Sequence, residues 1–425
     1  MARETDLLKA YELSQQANEH FDLTDNEQQR TLLQLAEQLD ALDALSVGDL
    51  KQLAIEEQAP LEFRLAVKLV DSKRFVRTIE QPIKVGVVFA MWGEHNRLNP
   101  KQAQNPNGED SLRVKADQLA WITKDSQVSW QLYPVDDGCP HDSAGIASGI
   151  VKTLEHPERV SVVRLEDYVH TTEGPLANLT SVDDSRKGGA IVLGCQKALE
   201  DDAEVVVYTD ADNSVHLGQL GLLLKPYLTE NKQVALGNRK HPESILVKQE
   251  ERWGVGIKTL RHMQRMIGEQ IFTQGIKDTQ AAFKLYSRDA LEVILRNPTV
   301  YDFSFDTDWI LAAMEYNKSI TTVPFAFIDS AAESASIVQG PMTTWYTLLE
   351  GLVKAVRARH ASYSRDMARV FDEEIHSHKD LELLIDKLPT ELANVDDKSL
   401  GDPSIMSPNQ MKAWIKQARL DAVQS

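Results

Sequence analysis

Two aspartates one residue apart, Asp210 and Asp212, follow the run Val205-Val-Val-Tyr-Thr. In an open α/β sheet, ligands gather outside the carboxyl ends of the strands. Two carboxylates alternating at such an end can turn toward one hard cation, which prefers oxygen ligands and keeps positions for phosphate oxygens. A capped turn after the strand is the structural alternative. A second acidic strand end is Leu132-Tyr-Pro-Val-Asp136-Asp137-Gly138. Its glycine permits a tight turn that lets a carboxylate face a base or a ribose hydroxyl, although the same triplet is also an ordinary turn. The third segment is Asp184-Ser-Arg186-Lys187-Gly188-Gly189-Ala190. Two cations beside two glycines at a helix start suit an anion or the edge of a nucleotide; a solvated helix start reads equally well. His95, His141 and His216 lie near these segments without metal-ligand spacing, and read as surface or supporting residues.

The elements that must position these groups alternate between strand and helix. Lys84-Val-Gly-Val-Val-Phe-Ala90 is a continuous apolar run, as expected of a strand buried on both faces. Further strand-like runs fall at 128–135, 160–165, 204–209, 233–236 and 320–328, with helical stretches at 112–125, 143–153, 187–200 and 215–229. This alternation predicts an α/β fold with a doubly wound, mostly parallel sheet and helices on both faces. Residues 99–111 form a polar loop with two prolines, either a mobile lid or an inert insertion. Residues 1–80 read as helical. Thr24-Asp-Asn-Glu27 has the form of a capping box, and Leu32, Leu35, Leu39 and Leu42 make one apolar stripe behind it. From about 341 the chain is helical again, with Trp345, Leu348, Leu349, Leu352, Val353 and Val356 on one side of the first helix. The expected organisation is a helical N-terminal region (1–80), an α/β domain that carries these segments (81–340) and a helical C-terminal region (341–425).

Composition narrows the class. An apolar fraction of 42% with 26% charged residues is that of a globular protein. A net charge of −18 disfavours nonspecific binding to nucleic acid or to anionic membrane. Two cysteines, Cys139 and Cys195, suggest a reducing compartment rather than a disulfide framework. The N-terminus lacks the apolar stretch of a signal peptide, and no segment approaches the roughly 20 apolar residues needed to span a bilayer. The expected location is the cytoplasm.

The three acidic and basic segments, in this order, resemble the family 2 glycosyltransferases of the GT-A fold. In that family a strand ending in Asp-Asp-Gly-Ser precedes a Gly-Lys-Gly-Gly-Ala-like helix start and then a strand ending in Asp-Ala-Asp. The later chain matches as well. Gly237-Asn238-Arg239 is similar to the family's Gly-Ser-Arg, and Asp278-Thr279-Gln280-Ala-Ala-Phe283-Lys284 to the Asp-Thr-Gln-Cys-Gly-Phe-Lys of dolichyl-phosphate glucosyl- and mannosyltransferase-like members. Phe305-Asp306-Thr307-Asp308-Trp309 resembles their Phe-Asp-x-Glu, and Val323-Pro324 their following strand. The likeness spans about residues 83–335.

The resemblance implies a metal-dependent transfer of a hexose, glucose or mannose first, from a UDP- or GDP-type nucleotide sugar, with inversion. It implies Mg2+ or Mn2+ held by Asp210 and Asp212. Glu94 and Asp137 would lie near the nucleoside, and Arg186 or Lys187 near the base or phosphates. Arg239 and the segment Asp278, Thr279 and Gln280 would face the diphosphate or sugar, and Asp306 or Asp308 would serve as base on the acceptor side. Two departures stand out. Phe89-Ala-Met-Trp92-Gly-Glu94-His95 replaces the usual Pro-x-Tyr-Asn-Glu opening, and no transmembrane helices follow the core. The acceptor is then soluble or membrane-peripheral but otherwise unidentified, with self-association into a homo-oligomer left open. The alternatives are a catalytically inactive sugar-nucleotide-binding scaffold on the same core, or a sugar nucleotidyltransferase. The latter needs a Gly-rich loop after the first strand, where this chain has Met91-Trp92-Gly93. A Rossmann dehydrogenase fails likewise, because no Gly-x-Gly-x-x-Gly follows the first strand.

Overall fold

A computed structural model of the chain describes residues 2–248, 254–329 and 340–424. The last part of the family-like stretch, 330–335, therefore lies outside the described residues. Nine strands are described: β1 (Ile83–Met91), β2 (Val128–Asp136), β3 (Val163–Arg164), β4 (Val205–Thr209), β5 (Val234–Gly237), β6 (Ile245–Val247), β7 (Phe283–Ser287), β8 (Ile320–Val323) and β9 (Ala326–Ile328). Seven form one sheet in the order β3-β2-β1-β4-β7-β5-β8, and β6 pairs with β9 in a small parallel sheet. The large sheet is parallel except for β7, which runs antiparallel to both β4 and β5. The expected α/β architecture with helical extensions is present. Phe283 and Lys284, read from sequence only as the end of a motif, begin the antiparallel strand. The expected strand 320–328 is two strands, broken at Pro324, which has no N–H for a ladder.

Alternate strand residues sort onto the two faces, as the period of 2 requires. Val85, Val87, Phe89, Val205 and Val207 join one core with the N-terminal helices, while Val88, Val206 and Tyr208 join the other with the C-terminal helices. On the first face lie the helices Asn26–Asp40, Val47–Glu56 and Leu61–Arg77, followed by Ser111–Thr123 and Leu220–Glu230. The stripe Leu32, Leu35, Leu39 and Leu42 is buried there as expected. Each such side chain contributes about 1.5–3 kcal/mol by leaving water, which ties this helix to its neighbour Leu61–Arg77 within the core of the first face. The cap of the first of these helices differs by one residue from the sequence reading. Asp25, not Thr24, accepts from the N–H groups of Glu27 and Gln28, and the Thr24 hydroxyl donates to Asp22 instead. A carboxylate is the stronger partner for a positive helix end.

On the second face lie Gly188–Glu200, Ile257–Ile267, Phe305–Glu315 and Pro341–Ala358. Gly194 lets the first of these approach the sheet: a Cβ there would sit 2.3 Å from Val88 Cγ1. Trp345, Leu349, Leu352, Val353 and Val356 of the last are buried in the same core, so this helix packs on the protein. Among the described residues, no helix is long and apolar enough to cross a membrane.

Candidate active site

The sheet brings distant segments to one edge. Because β1, β2 and β4 are parallel, their carboxyl ends deliver Trp92–Glu94, Asp136–Asp137 and Asp210–Asp212 to the same side. β7 runs the opposite way, so its start, preceded by Asp278–Gln280, falls at that same edge. β5, again reversed, ends there with Asn238-Arg239. These ends border a cleft of about 1250 Å³ lined by Glu94, Asp137, Arg186, Lys187, Asp210, Asp212, Arg239, Asp278, Gln280 and Asp306, among others. Thr279 and Asp308, the remaining candidates, do not line it.

The Asp210–Asp212 turn is held from behind. Lys115, fully buried on the helix Ser111–Thr123, donates its ammonium to the Asp212 carbonyl. Burial lowers the pKa of this lysine, although Asp212, Glu109 and Asp210 favour its charge. Glu109 Oε2 accepts from Asn213 N at 2.8 Å, and Asn213 Nδ2 donates back to the Glu109 carbonyl at 2.9 Å. Arg97 joins Glu109 to Glu94: its Nε lies 3.2 Å from Glu109 Oε1 and its Nη1 donates to Glu94 Oε2. Burial pushes the Glu94 carboxyl up to about 7 even against Arg97. The far end of the polar loop 99–111 is thus a buried strut under the turn. Neither a lid nor an inert insertion describes Glu109. Sequence reading missed this strut and Lys115. The one available signal was a lysine on the same helix stripe as Leu112 and Leu119.

Asp137 organises the second segment. It accepts from the Ser185 hydroxyl and, at 2.6 Å, from Lys187 N. Burial raises its pKa to about 6, with these two bonds opposing. Its neighbour Asp136 instead accepts from Cys139 N and Ala144 N, closing the turn after β2. Lys187 has φ +80° and ψ −49°, a conformation rare outside glycine and close to that of a strained γ-turn. Arg186 N and Gly189 N both donate to the Tyr301 carbonyl, which fixes the segment on either side. The two glycines serve this contact: a Cβ at Gly188 would lie 2.6 Å from the Tyr301 backbone, and one at Gly189 2.5 Å from Ser185 Oγ. The N–H groups expected to meet an anion are therefore largely occupied by the protein, and the cations Arg186 and Lys187 are what reach the cleft.

Lys187 Nζ lies 2.5 Å from Asp210 Oδ1. Burial opposes the lysine's charge, but Asp210 first, then Asp306 and Asp212, outweigh it and raise its pKa. Asp210 is lowered despite burial, through Lys187. Opposite, Arg239 grips Asp278 with a two-pronged fork, Nε to Oδ2 and Nη2 to Oδ1, both at 2.8 Å, while its own N–H adds a third bond at 2.9 Å. Burial raises Asp278, yet this fork overrides it and holds the carboxyl down at about 2. Gln280 Nε2 donates to the buried Thr279 hydroxyl at 3.3 Å.

The aspartates of the helix Phe305–Glu315 face different surroundings. Asp306 borders the cleft, where Lys284 Nζ lies 2.9 Å from its Oδ1 and the Tyr208 hydroxyl donates to the same oxygen. Asp308 is fully buried behind it. It accepts from Thr299 N and Oγ1 and from Arg359 Nε and Nη2, at 2.9, 2.5, 2.9 and 3.2 Å. Two residues along a helix is about 200°, so the side chains point apart. The three histidines have no ligand grouping: among the described residues no cluster of three or more His, Cys, Asp or Glu could hold a metal. His216 Nδ1 accepts from Gly218 N, and burial takes its pKa down to about 3. The rings of His95 and His141 lie against each other, tilted by 42° with centroids 4.3 Å apart.

Comparison with known proteins agrees with this chemistry. Residues 123–295 match the profile of Glycosyl transferase family 2. The chain is 27% identical over 206 residues to dolichyl-phosphate beta-glucosyltransferase ALG5D of Trichomonas vaginalis, and 25% over 213 residues to ALG5C of the same organism. These alignments cover 47% and 48% of this chain and 55% and 54% of the relatives, so the chain spans about half the length of the curated relatives it matches. Among solved structures, glucosyl-3-phosphoglycerate synthase of Mycobacterium tuberculosis superposes with TM-score 0.43 at 13% identity, over 70% of this chain and 86% of that one. Mannosyl-3-phosphoglycerate synthase of Rubrobacter xylanophilus gives 0.46 at 13% identity, over 68% and 78%. The profile match takes in β2, the Lys187 segment, the Asp210–Asp212 turn, Arg239 and the antiparallel strand, so residues 123–295 are similar to glycosyl transferase family 2 domains.

Proposed function

We propose that the chain is a metal-dependent glycosyltransferase that moves a hexose from a UDP- or GDP-type nucleotide sugar to an acceptor hydroxyl or phosphate, with inversion. Glucose is the first candidate, after the names of the curated relatives, and mannose the second. In this reading residues 81–340 are the catalytic unit, and 1–80 and 341–425 are helical supports on its two faces. The observation that carries the reading is the meeting of Asp210, Asp212, Lys187, Arg239 and Asp306 in one cleft at the carboxyl edge of the sheet. A cytoplasmic location belongs to the same proposal and rests on the unpaired Cys139 and Cys195.

The residues fit a divalent cation of the Mg2+ or Mn2+ kind. Asp210 and Asp212 offer hard oxygens at a rigid turn, and among the described residues no cluster of three or more carboxylate, histidine or cysteine ligands fills the positions that diphosphate oxygens and water would take. When bound, such an ion withdraws charge from the departing diphosphate. The protein's own groups do the rest. Lys115 and Glu109 fix the turn that carries Asp212. Arg239, oriented by Asp278, and Lys187 lie where negative charge grows as the bond from the anomeric carbon to the diphosphate oxygen breaks. Preorganised donors of that kind act mainly on the transition state. Asp306, clamped through Oδ1 by Lys284 and Tyr208, takes the proton of an acceptor hydroxyl as its oxygen attacks the anomeric carbon. With a phosphate acceptor no base is needed, and Asp306 only positions it.

Thermal-shift screening of nucleotide sugars in Mn2+, followed by donor hydrolysis with and without the metal, tests the reading. A bound donor raises the midpoint by mass action. Absence of turnover with every nucleotide sugar, together with absence of Mn2+ binding, would sink it in favour of an inactive core.

A further inference from the structure

Lys187 occupies an unusual place. Its ammonium touches Asp210, which the proposed function gives to the metal, and it interacts electrostatically with Asp306 and Asp212 as well. It is thus a positive charge lodged among three of the cleft's carboxylates. Its backbone is held in a costly conformation by Asp137 on one side and Tyr301 on the other. Strain of this kind persists only where the surroundings over-determine it. Here the over-determination has one evident product, the aim of the lysine into the acidic cluster. The side chain beyond that fixed backbone is a four-carbon stem with a compact charge, able to swing between partners in a way a planar guanidinium cannot.

We infer that Lys187 is a stand-in cation: it neutralises Asp210 before the divalent ion arrives, is displaced by that ion, and then turns its ammonium to the donor diphosphate. This rests on the metal reading above and adds to it a coupling. A divalent ion alone must compete with Lys187 for Asp210, so it binds weakly. An ion arriving with a diphosphate gives the displaced ammonium a new anionic partner, so the two bind well together. The protein is thereby selective for the metal–nucleotide pair over the free metal.

The test is Mn2+ binding to the full chain, read by loss of the free-ion EPR signal, with and without UDP. Wild type, Lys187→Met, Lys187→Gln and Lys187→Arg are compared, with Asp212→Asn as the control for the site. Without UDP, Lys187→Met and Lys187→Gln are expected to bind Mn2+ at least about tenfold more tightly than wild type, while Lys187→Arg stays within about threefold of it. With UDP present, wild type gains affinity for Mn2+ by more than tenfold, and the neutral variants gain less. Mn2+ binding that Asp212→Asn abolishes, but that no neutral variant strengthens, overturns the stand-in role and leaves the metal reading intact. Absence of Mn2+ binding in every form, with or without UDP, overturns both. The two neutral variants guard against one of them misfolding, which circular dichroism reports.

Discussion

Asp306→Asn and Asp308→Asn, two changes of the same chemistry two residues apart, should fail in different ways. Asp308 accepts four hydrogen bonds inside the protein, two from Thr299 and two from Arg359 at the end of the helix Pro341–Ala358. An asparagine can accept through one atom only and turns an amide against the remaining donors. Arg359 is itself 6% exposed and keeps only the Asn297 carbonyl at 2.7 Å and Glu315 at 3.4 Å. Breaking a buried pair by removing one partner costs about 3–5 kcal/mol. Retaining the amide's shape and one acceptor places Asp308→Asn at the low end, about 3 kcal/mol, which lowers the thermal midpoint by roughly 6 °C at ~2 °C per kcal/mol. Hydrogen exchange should localise the loss to the helix Pro341–Ala358. The folded fraction should keep metal-dependent donor turnover within about threefold, because Asp308 does not line the cleft. Asp306→Asn also leaves a buried cation, Lys284, but burial already lowers that lysine's pKa, so it can shed its proton and limit the penalty. Its main effect is on transfer to a hydroxyl acceptor, reduced by about 10²–10⁴. Equal loss of transfer in both variants at a temperature where both are folded, or an unchanged midpoint in Asp308→Asn, would refute the assignment.

Other outcomes follow from the same geometry. Asp212→Ala should remove Mn2+-dependent turnover by at least ~10² while lowering the metal-free thermal midpoint by only about 2 °C, since the bond from Ser214 N to Asp212 Oδ1 at 3.0 Å is lost but the turn stays held by Lys115 through the carbonyl and by Glu109 through Asn213; a drop of many degrees would show the side chain to be mainly structural. Lys115→Met should keep the fold but weaken Mn2+–UDP binding about tenfold in calorimetry, because the Asp212 carbonyl loses its anchor; unchanged affinity would dismiss the strut. Asp278→Asn carries a pH signature. The folded pKa of about 2 lies below the ordinary 3.8, so Asp278 contributes stability above pH 3.8 that is lost as pH falls through 2. That contribution is about 2 kcal/mol, so the wild-type advantage over Asp278→Asn at pH 7 should shrink from about pH 4 downward; a gap constant to pH 3 contradicts it.

The sequence made the parallel strands legible because both faces of β1 and β4 are buried, which forces uninterrupted apolar runs. It made the acidic strand ends legible because a parallel sheet collects carboxyl ends at one edge whatever the loops do. What it hid depends on contacts between distant segments. β7 has an ordinary strand sequence, and only its pairing with β4 and β5 reveals that it runs backwards and delivers Asp278 to the cleft. Gly188 and Gly189 look like a phosphate cradle in sequence, yet their small size serves Tyr301 and Ser185, over 100 residues away in the first case. Glu109 sits in a stretch whose composition reads as loop, and its burial is decided by Arg97 and Asn213.

Asp306 and Asp308 show where local reasoning stops. Helical geometry says that they diverge, and this much is visible in the spacing. Which of them borders the cleft goes with the partner each finds: a lysine from the reversed strand for one, an arginine from the C-terminal helix for the other. Both partners are buried cations, and each is tolerable only because a carboxylate awaits it. The C-terminal extension is therefore bound to the helix Phe305–Glu315 through charge as well as apolar packing. Moving Arg359 would leave the buried Asp308 with Thr299 but no cation, two residues from Asp306, so the extension supports the position of the proposed base without reaching the cleft through that contact.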